Sequence, residues 1–498
     1  MKSFIRASAL FLSVIFTCRT TGDPSRPGDG VLLEIARLPR IRPDWSGAVI
    51  PPNIAPLNFM LDEPAGEFLV DMGIADGSVG HLQIRTKRNK VVIPAAKWRR
   101  LLSACRGREL RVDVRARDAQ NRWRRYRPIS MRVAMEKIDS HVVYRLINPA
   151  YSLWWNMGIH QRNLEDFHEE ALFTNRVTGR NCMNCHSFCN HRPEKMLFHM
   201  RAEYAGTMLV TGGQAAKVDT RTDQTLSSGV YPAWHPAGHH VAFSVNQIEQ
   251  TFHARKGRSI HVYDKASDLV VYDVRTNTVR SSLKVSTRRL ENLPAWSPDG
   301  GTLYFCSGPE WKEGTDIRTV RYDLMRIACD VETNRWGEVE TVLSSAETGK
   351  SISFPRVSPD GRFMMFCMSD YGYFAIHNPA SDLYLLDLGT REYRRLDVNS
   401  ESSESYHCWS SEGRWFVFAS KREDGLCSRL FISYLDSTGN AHKPFLMPQK
   451  DPAFYDAYVM NFNAPEMISG PVKASRWTLM NAALRPPVKA RFVPMAVE

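Results

Sequence analysis

The run Cys182-Met183-Asn184-Cys185-His186 sets two thiols three positions apart and an imidazole directly after the second. Its order, C-x-x-C-H, is the attachment sequence of a c-type haem. Each thiol can form a thioether to one edge of a porphyrin, and the adjacent imidazole then lies beneath the iron as its proximal ligand. The expected cofactor is one covalent haem c held by Cys182, Cys185 and His186. A sixth ligand has candidates in Met196 and His199, with His191 beside them and His160 and His168 upstream. His199, in Phe198-His199-Met200 just past the motif, is favoured. An open sixth position is the rival, and it would turn an electron carrier into a catalyst. Cys189 extends the cluster toward a zinc or iron–sulfur site, but Cys-His-x-x-Cys is an unusual zinc spacing.

Haem attachment of this kind takes place outside the cytoplasm, so the motif demands an export signal. Lys2 and Arg6 form a short basic region, residues 7–17 an apolar run too short to span a membrane, and Cys18 follows. Residues 1–18 are therefore read as a signal peptide and the Gly-, Pro- and Thr-rich 19–30 as a tether. A cysteine closing the apolar run resembles the lipobox of a bacterial lipoprotein, although Phe16 and Thr17 depart from the usual small residues. Two readings stay open, lipid attachment and membrane anchoring through Cys18 or simple cleavage nearby. Either places the chain in the cell envelope of a gram-negative bacterium, in the periplasm or as an outer-membrane lipoprotein.

Composition bounds the rest. The 498 residues are 43% hydrophobic without a second long apolar run, which describes a soluble multidomain chain. Ten cysteines are too sparse for a disulfide scaffold. The net charge of +12 draws on an arginine-dense stretch over 99–127. Within it Leu110-Arg111-Val112-Asp113-Val114-Arg115-Ala116-Arg117 alternates with period two, as a half-buried strand with a solvated arginine face would. Docking onto an acidic partner or membrane is the sharper alternative. Nucleic acid is not an expected partner of an exported chain.

The elements that must position the motif announce themselves as a repeat. Tyr231-Pro232-Ala233-Trp234-His235-Pro236-Ala237-Gly238, Leu293-Pro294-Ala295-Trp296-Ser297-Pro298-Asp299-Gly300, Phe354-Pro355-Arg356-Val357-Ser358-Pro359-Asp360-Gly361 and Cys408-Trp409-Ser410-Ser411-Glu412-Gly413 each precede an apolar strand. The anchors recur every 52 to 62 residues. In each copy one strand ends, a Gly-containing tight turn follows, with Pro in three of the four, and a second strand returns. A later strand also repeats, as 267–274 and 381–388. Four-stranded units at this spacing describe propeller blades. Cys306 and Cys367 occupy equivalent places in successive blades, too far apart for a disulfide, and read as small hydrophobes.

With these residues the chain resembles the TolB-type (WD40-like) β-propeller family over about residues 200–470. The resemblance implies six blades, completed by a degenerate blade near 206–218 and C-terminal strands through Phe462 and Met467. The expected fold is mainly β: a small N-terminal β-sandwich (31–135), a helical c-type haem segment (136–200), a TolB-like β-propeller (201–475) and a C-terminal tail (476–498). The helical expectation rests on the aromatic and apolar residues over 151–159 and 163–173, which would cover a porphyrin.

Decoys fall away. Gly349-Lys350-Ser351 has Ser344 where a phosphate loop needs its first glycine, and His168-Glu169-Glu170 lacks the second histidine of a zinc-protease helix. Three functions stay open: an exported monohaem cytochrome passing electrons to a redox or envelope protein partner, a propeller assembly scaffold with a structural haem, and a haem enzyme with an open sixth coordination position.

Overall fold

The computed structural model describes residues 32–74, 80–149, 155–252 and 260–494. The expected signal peptide, Cys18 and the tether over 19–30 lie outside those residues.

Before the propeller, two sheets pack around a helix. The larger is built on Glu109–Arg117, which pairs antiparallel with Glu67–Ile74, Trp123–Tyr126 and Ile129–Val133. A smaller sheet joins Ile41–Arg42, Phe59–Leu61 and Lys90–Val91. The alternation over 110–117 resolves as the pattern requires, with Leu110, Val112, Val114 and Ala116 buried. On the other face Arg111 meets Asp113 at 2.9 Å and Arg117 meets Glu67 at 3.1 Å. Such partly exposed pairs add little stability. The helix Ala95–Cys105 is an addition to the two-sheet expectation and buries Trp98, Leu101, Leu102 and Cys105. Its apolar face is hard to see among the flanking arginines.

From His141 onward the chain is a β-propeller. Among the described residues its strands form five sheets, of four, five, nine, four and four strands, and within them run six antiparallel four-stranded meanders. Their inner strands touch in cyclic order: Met183–Phe188, Val230–Trp234, Leu290–Trp296, Ser351–Val357, Glu404–Trp409 and Asn461–Ile468, which returns to Met183–Phe188. Asn461–Ile468 closes the ring by pairing antiparallel with His141–Ile147, so one meander is assembled from both ends of the propeller.

The helical reading of 136–200 does not hold. Its residues supply strands His141–Ile147, Met157–Asn163 and Glu169–Thr174 of the closing meander, then Met183–Phe188 and Lys195–Met200 of the next. Both faces are covered in most of these strands, as in Met157–Asn163, where five of seven residues are buried, while Glu169–Thr174 has two of six buried. A strand buried on both faces loses its period-two signature and cannot be told from a helix by pattern. The region past 475 holds a helix, Arg476–Leu484, and two short strands that join the ring's outer edge, Val488–Lys489 against Gln214–Asp219 and Arg491–Phe492 against Thr278–Arg280.

The repeated turns have the geometry their residues imply. Gly238, Gly300, Gly361 and Gly413 all have positive φ, from 67° to 78°. In three copies a serine hydroxyl accepts from the returning strand, Thr302 N to Ser297 Oγ at 3.0 Å, Phe363 N to Ser358 Oγ at 2.9 Å and Trp415 N to Ser410 Oγ at 3.1 Å. A side chain on Gly300 would also run into His235, its Cβ 2.3 Å from Nε2, whereas at Gly361 nothing comes nearer than 3.9 Å. Gly361→Val should therefore destabilise by about 1–3 kcal/mol through backbone strain alone, and Gly300→Val by more. Denaturant melts of the two variants check both the loss and its order.

Candidate functional site

Each inner strand carries one irregularity at the same place. The ladder slips by a residue, and a non-glycine residue adopts a left-handed conformation: Cys185 (φ 56°), Tyr231 (47°), Leu293 (56°), Phe354 (52°), Tyr406 (47°) and Ala464 (47°). Such a conformation costs on the order of 1–3 kcal/mol and persists only where the surroundings hold it. The next residue is proline in four blades, which leaves no N–H orphaned where the ladder is interrupted. In the other two it is His186 and His407. The Cys185-His186 of the motif is thus the ring's own β-bulge, written in different residues.

The bulge decides what the motif can do. On a regular strand residues three apart face opposite sides. Here Cys185 and His186 together oppose the single residue Phe198, since Asn184 pairs with His199 and Ser187 with Leu197. The extra residue brings both thiols to one wall. Cys182 continues the ladder, its carbonyl accepting from Arg201 N at 2.9 Å. All six bulges line one central cavity of about 750 Å³, and Cys182, Cys185 and His186 share its wall. Both cysteines are half-buried, and all nine cysteines of the described residues are free thiols. Cys306 and Cys367 are fully buried in their strands.

His186 and His407 form an internal comparison. Both are 3% exposed, and each turns its Nε2 to a carbonyl on the second strand of the preceding blade. His407 lies 2.9 Å from Met365 O, with its Nδ1 3.9 Å from Cys367 Sγ. His186 lies 3.4 Å from Val143 O, and its Nδ1 is buried without a partner. Burial pushes the pKa of both down to about 3, so both are neutral imidazoles at pH 7. Both rings sit as pins between neighbouring blades, His407 with the shorter contact.

Charge on the wall is asymmetric. Arg356 is paired with Glu466 at 3.0 Å, and Arg145 and Arg201 flank the motif. Arg145 donates to Met183 O at 3.2 Å. Both arginines act to lower the pKa of the Cys185 thiol, but burial outweighs them and raises it. Over the cavity runs a hairpin longer than a blade needs, His240–Phe252 and Ile260–Asp273, contributing Ile248, Phe252, Ile260 and Val262 to the wall. It is anchored by Asp264, which accepts from Asn292 Nδ2 (2.6 Å), Asn246 Nδ2 (3.0 Å), Tyr373 OH (3.0 Å) and Tyr322 OH (3.3 Å). Burial raises the pKa of Asp264 to about 6 against those four bonds.

The sequence-derived ligand candidates are not brought to this wall. Met196 is fully buried in a separate cluster with Phe173 and Phe198. His199 Nδ1 lies 3.3 Å from Thr207 Oγ1. His191 Nδ1 faces Met467 O at 3.0 Å, and His160 pairs with Glu169 at 3.3 Å. Cys189 packs with Leu197 and Trp234. Among the described residues no group of three or more His, Cys, Asp or Glu side chains assembles as a metal site. Residues missed by sequence reasoning are Arg145, Arg201, Tyr231, Tyr406, His377 and His407, all lining the cavity. Their signal was present in part: an apolar-or-aromatic residue followed by Pro or His, two positions ahead of each blade's Trp or Val.

No protein-family profile and no curated protein matches the chain. Solved structures similar to it include the Cps50 β-propeller domain of Myceliophteria thermophila, at 9% identity over 51% of this chain and 65% of that one, TM-score 0.32. The Dos1 propeller matches at 15% identity over 47% and 66%, TM-score 0.29. An auxiliary nutrient binding protein of Bacteroides thetaiotaomicron matches at 10% identity over 78% and 96%, TM-score 0.33. At this level of likeness the propeller assignment rests on the strand order of the chain itself.

Two measurements follow from the histidines. His407→Ala should destabilise the haem-free chain by about 1–3 kcal/mol, because it leaves the buried Met365 carbonyl unsatisfied, and His186→Ala by less. Denaturant midpoints compare them. Burial also holds His199 and His377 at about 3, so four histidines stay neutral in the fold. Unfolded histidines titrate near 6.5, so below that pH the unfolded chain binds protons that the folded one refuses. Stability should fall as pH drops from 7 to 5, on the order of 1–2 kcal/mol per histidine, and His407→Gln should flatten that slope.

Proposed function

We propose that the central cavity holds one covalently attached haem c and that the protein transfers electrons in the cell envelope. The observation that carries the reading is the convergence of Cys182, Cys185 and His186 on one wall of a cavity of about 750 Å³. That volume lies within the range of cofactor pockets. Cys182 and Cys185 would supply the two thioethers and His186 the proximal nitrogen, held neutral at pH 7 by burial. When bound, the haem supplies a one-electron couple. The chain's own part is to exclude water with Tyr231, Phe354 and Tyr406 and to orient His186 from the neighbouring blade. The six four-stranded meanders would be the six blades of a TolB-like ring. Export with processing beside Cys18, a lipid anchor there, and a redox partner in the envelope belong to the same reading.

One observation favours a second reading. His186 occupies the place of the purely structural His407, so Cys185-His186 could be a variant of the blade's bulge in a protein-binding scaffold. Denaturation separates the two. After export in a host competent for c-type maturation, unfolded wild-type protein should retain one haem per chain, and Cys182→Ala with Cys185→Ala should retain none. A haem-free wild type would leave the scaffold. In the haem-loaded protein, His199→Ala and Met196→Ala should leave the carbon monoxide difference spectrum of the reduced form unchanged, because neither side chain reaches the cavity.

A further inference from the structure

The charged side chains on the cavity wall do not balance. Four arginines line it, Arg145, Arg180, Arg201 and Arg356, against two acids, Glu249 and Glu466. Glu466 is engaged by Arg356 at 3.0 Å, and Glu249 by Lys265 at 2.6 Å. Arg180 stacks on Trp155 at 4.6 Å. Among the described residues Arg145 and Arg201 form no ion pair, and Arg145 Nε is buried without an acceptor. The remaining wall is largely tyrosine, proline, phenylalanine and aliphatic residues, with several uncharged amides. Both guanidinium groups are partly exposed on this wall and neither is neutralised by a carboxylate of the described residues, so their charge is available to an anion in the cavity.

Both unpaired arginines are tied to the motif. Arg201 is the cross-strand neighbour of Cys182, and Arg145 reaches the carbonyl of Met183. We propose that Arg145 and Arg201 form a carboxylate-binding subsite, so that the cavity takes a ligand with an apolar body and acidic groups at the end beside Cys182. Arginine is suited to this because its planar fork matches a carboxylate with two parallel hydrogen bonds. The carboxylates have two sources. They belong to the propionates of a porphyrin, in which case the inference rests on the haem reading above, or to a free small polycarboxylate.

The test uses the full chain carrying Cys182→Ala and Cys185→Ala, in which a porphyrin binds reversibly. Three probes are titrated: haemin, haemin dimethyl ester, whose carboxylates are blocked, and citrate. Arg145→Gln with Arg201→Gln should weaken haemin or citrate by roughly tenfold or more, leave the ester unchanged and leave the thermal melt unchanged. Arg145→Lys with Arg201→Lys should recover part of the loss, since the charge returns without the fork. Loss confined to haemin identifies the propionates, and loss on citrate identifies a free acid. The proposal is overturned if haemin and its ester bind the parent chain equally and citrate does not bind, if the glutamine pair binds all probes as the parent does, or if the parent binds none. Retention of covalent haem is read on the wild type, so the haem reading can fail while the citrate result stands, and the reverse.

Discussion

A propeller has an inside only when its ring is closed, and in this chain closure depends on backbone hydrogen bonds between residues more than three hundred positions apart. Asn461–Ile468 pairs along its length with His141–Ile147, matching Ile468 to His141 and Asn461 to Ile147. Because that pairing joins the first and last parts of the ring, every inner strand acquires a neighbour on each side. The central cavity is a consequence of that arrangement. Its walls come from all six inner strands, and a local segment taken from the chain would contain none of it.

Closure also explains why the bulge recurs. Six inner strands run toward one axis, where side chains from all of them compete for little room. An extra residue in each strand, with left-handed backbone at Cys185, Tyr231, Leu293, Phe354, Tyr406 and Ala464, bends the strand and re-aims its side chains. The same device that relieves crowding also lets two cysteines three apart share a wall. The motif therefore borrows a feature that the five other inner strands carry for architectural reasons.

Repetition supplies its own controls. His407 is what an imidazole looks like at this position when it serves only packing: 2.9 Å to a carbonyl and a thiol on its other side. His186, at the equivalent position, has the longer 3.4 Å contact and nothing on Nδ1. Asp264 makes a related point about burial. Of its four donors Asn246 lies on the hairpin itself, but Asn292, Tyr322 and Tyr373 lie outside it, so the hairpin that overhangs the cavity is tied to the ring by groups that would be costly to leave unpaired.

By itself the sequence determined what is encoded within a few residues. Proline and glycine at fixed offsets specified the blade turns, since only glycine takes the positive φ at Gly300 and Gly361 without strain. Period-two alternation specified the half-buried strand through Leu110 and Ala116, and the spacing of Cys182, Cys185 and His186 singled out three residues that share one cavity wall. Pattern failed where burial is two-sided. The strands over 141–200 read as helices, because a strand covered on both faces carries no alternating signal, and the helix at Ala95–Cys105 was masked by its arginines. Only the tertiary structure decided that the motif lies in the propeller wall, that Met196 and His199 turn away from it, and that Arg145, Arg201 and Arg356 turn toward it. Cys185-His186, Arg145 and Arg356 sit on three different strands and Arg201 just past a fourth, and their convergence follows from ring closure, a constraint between distant residues that no local window contains.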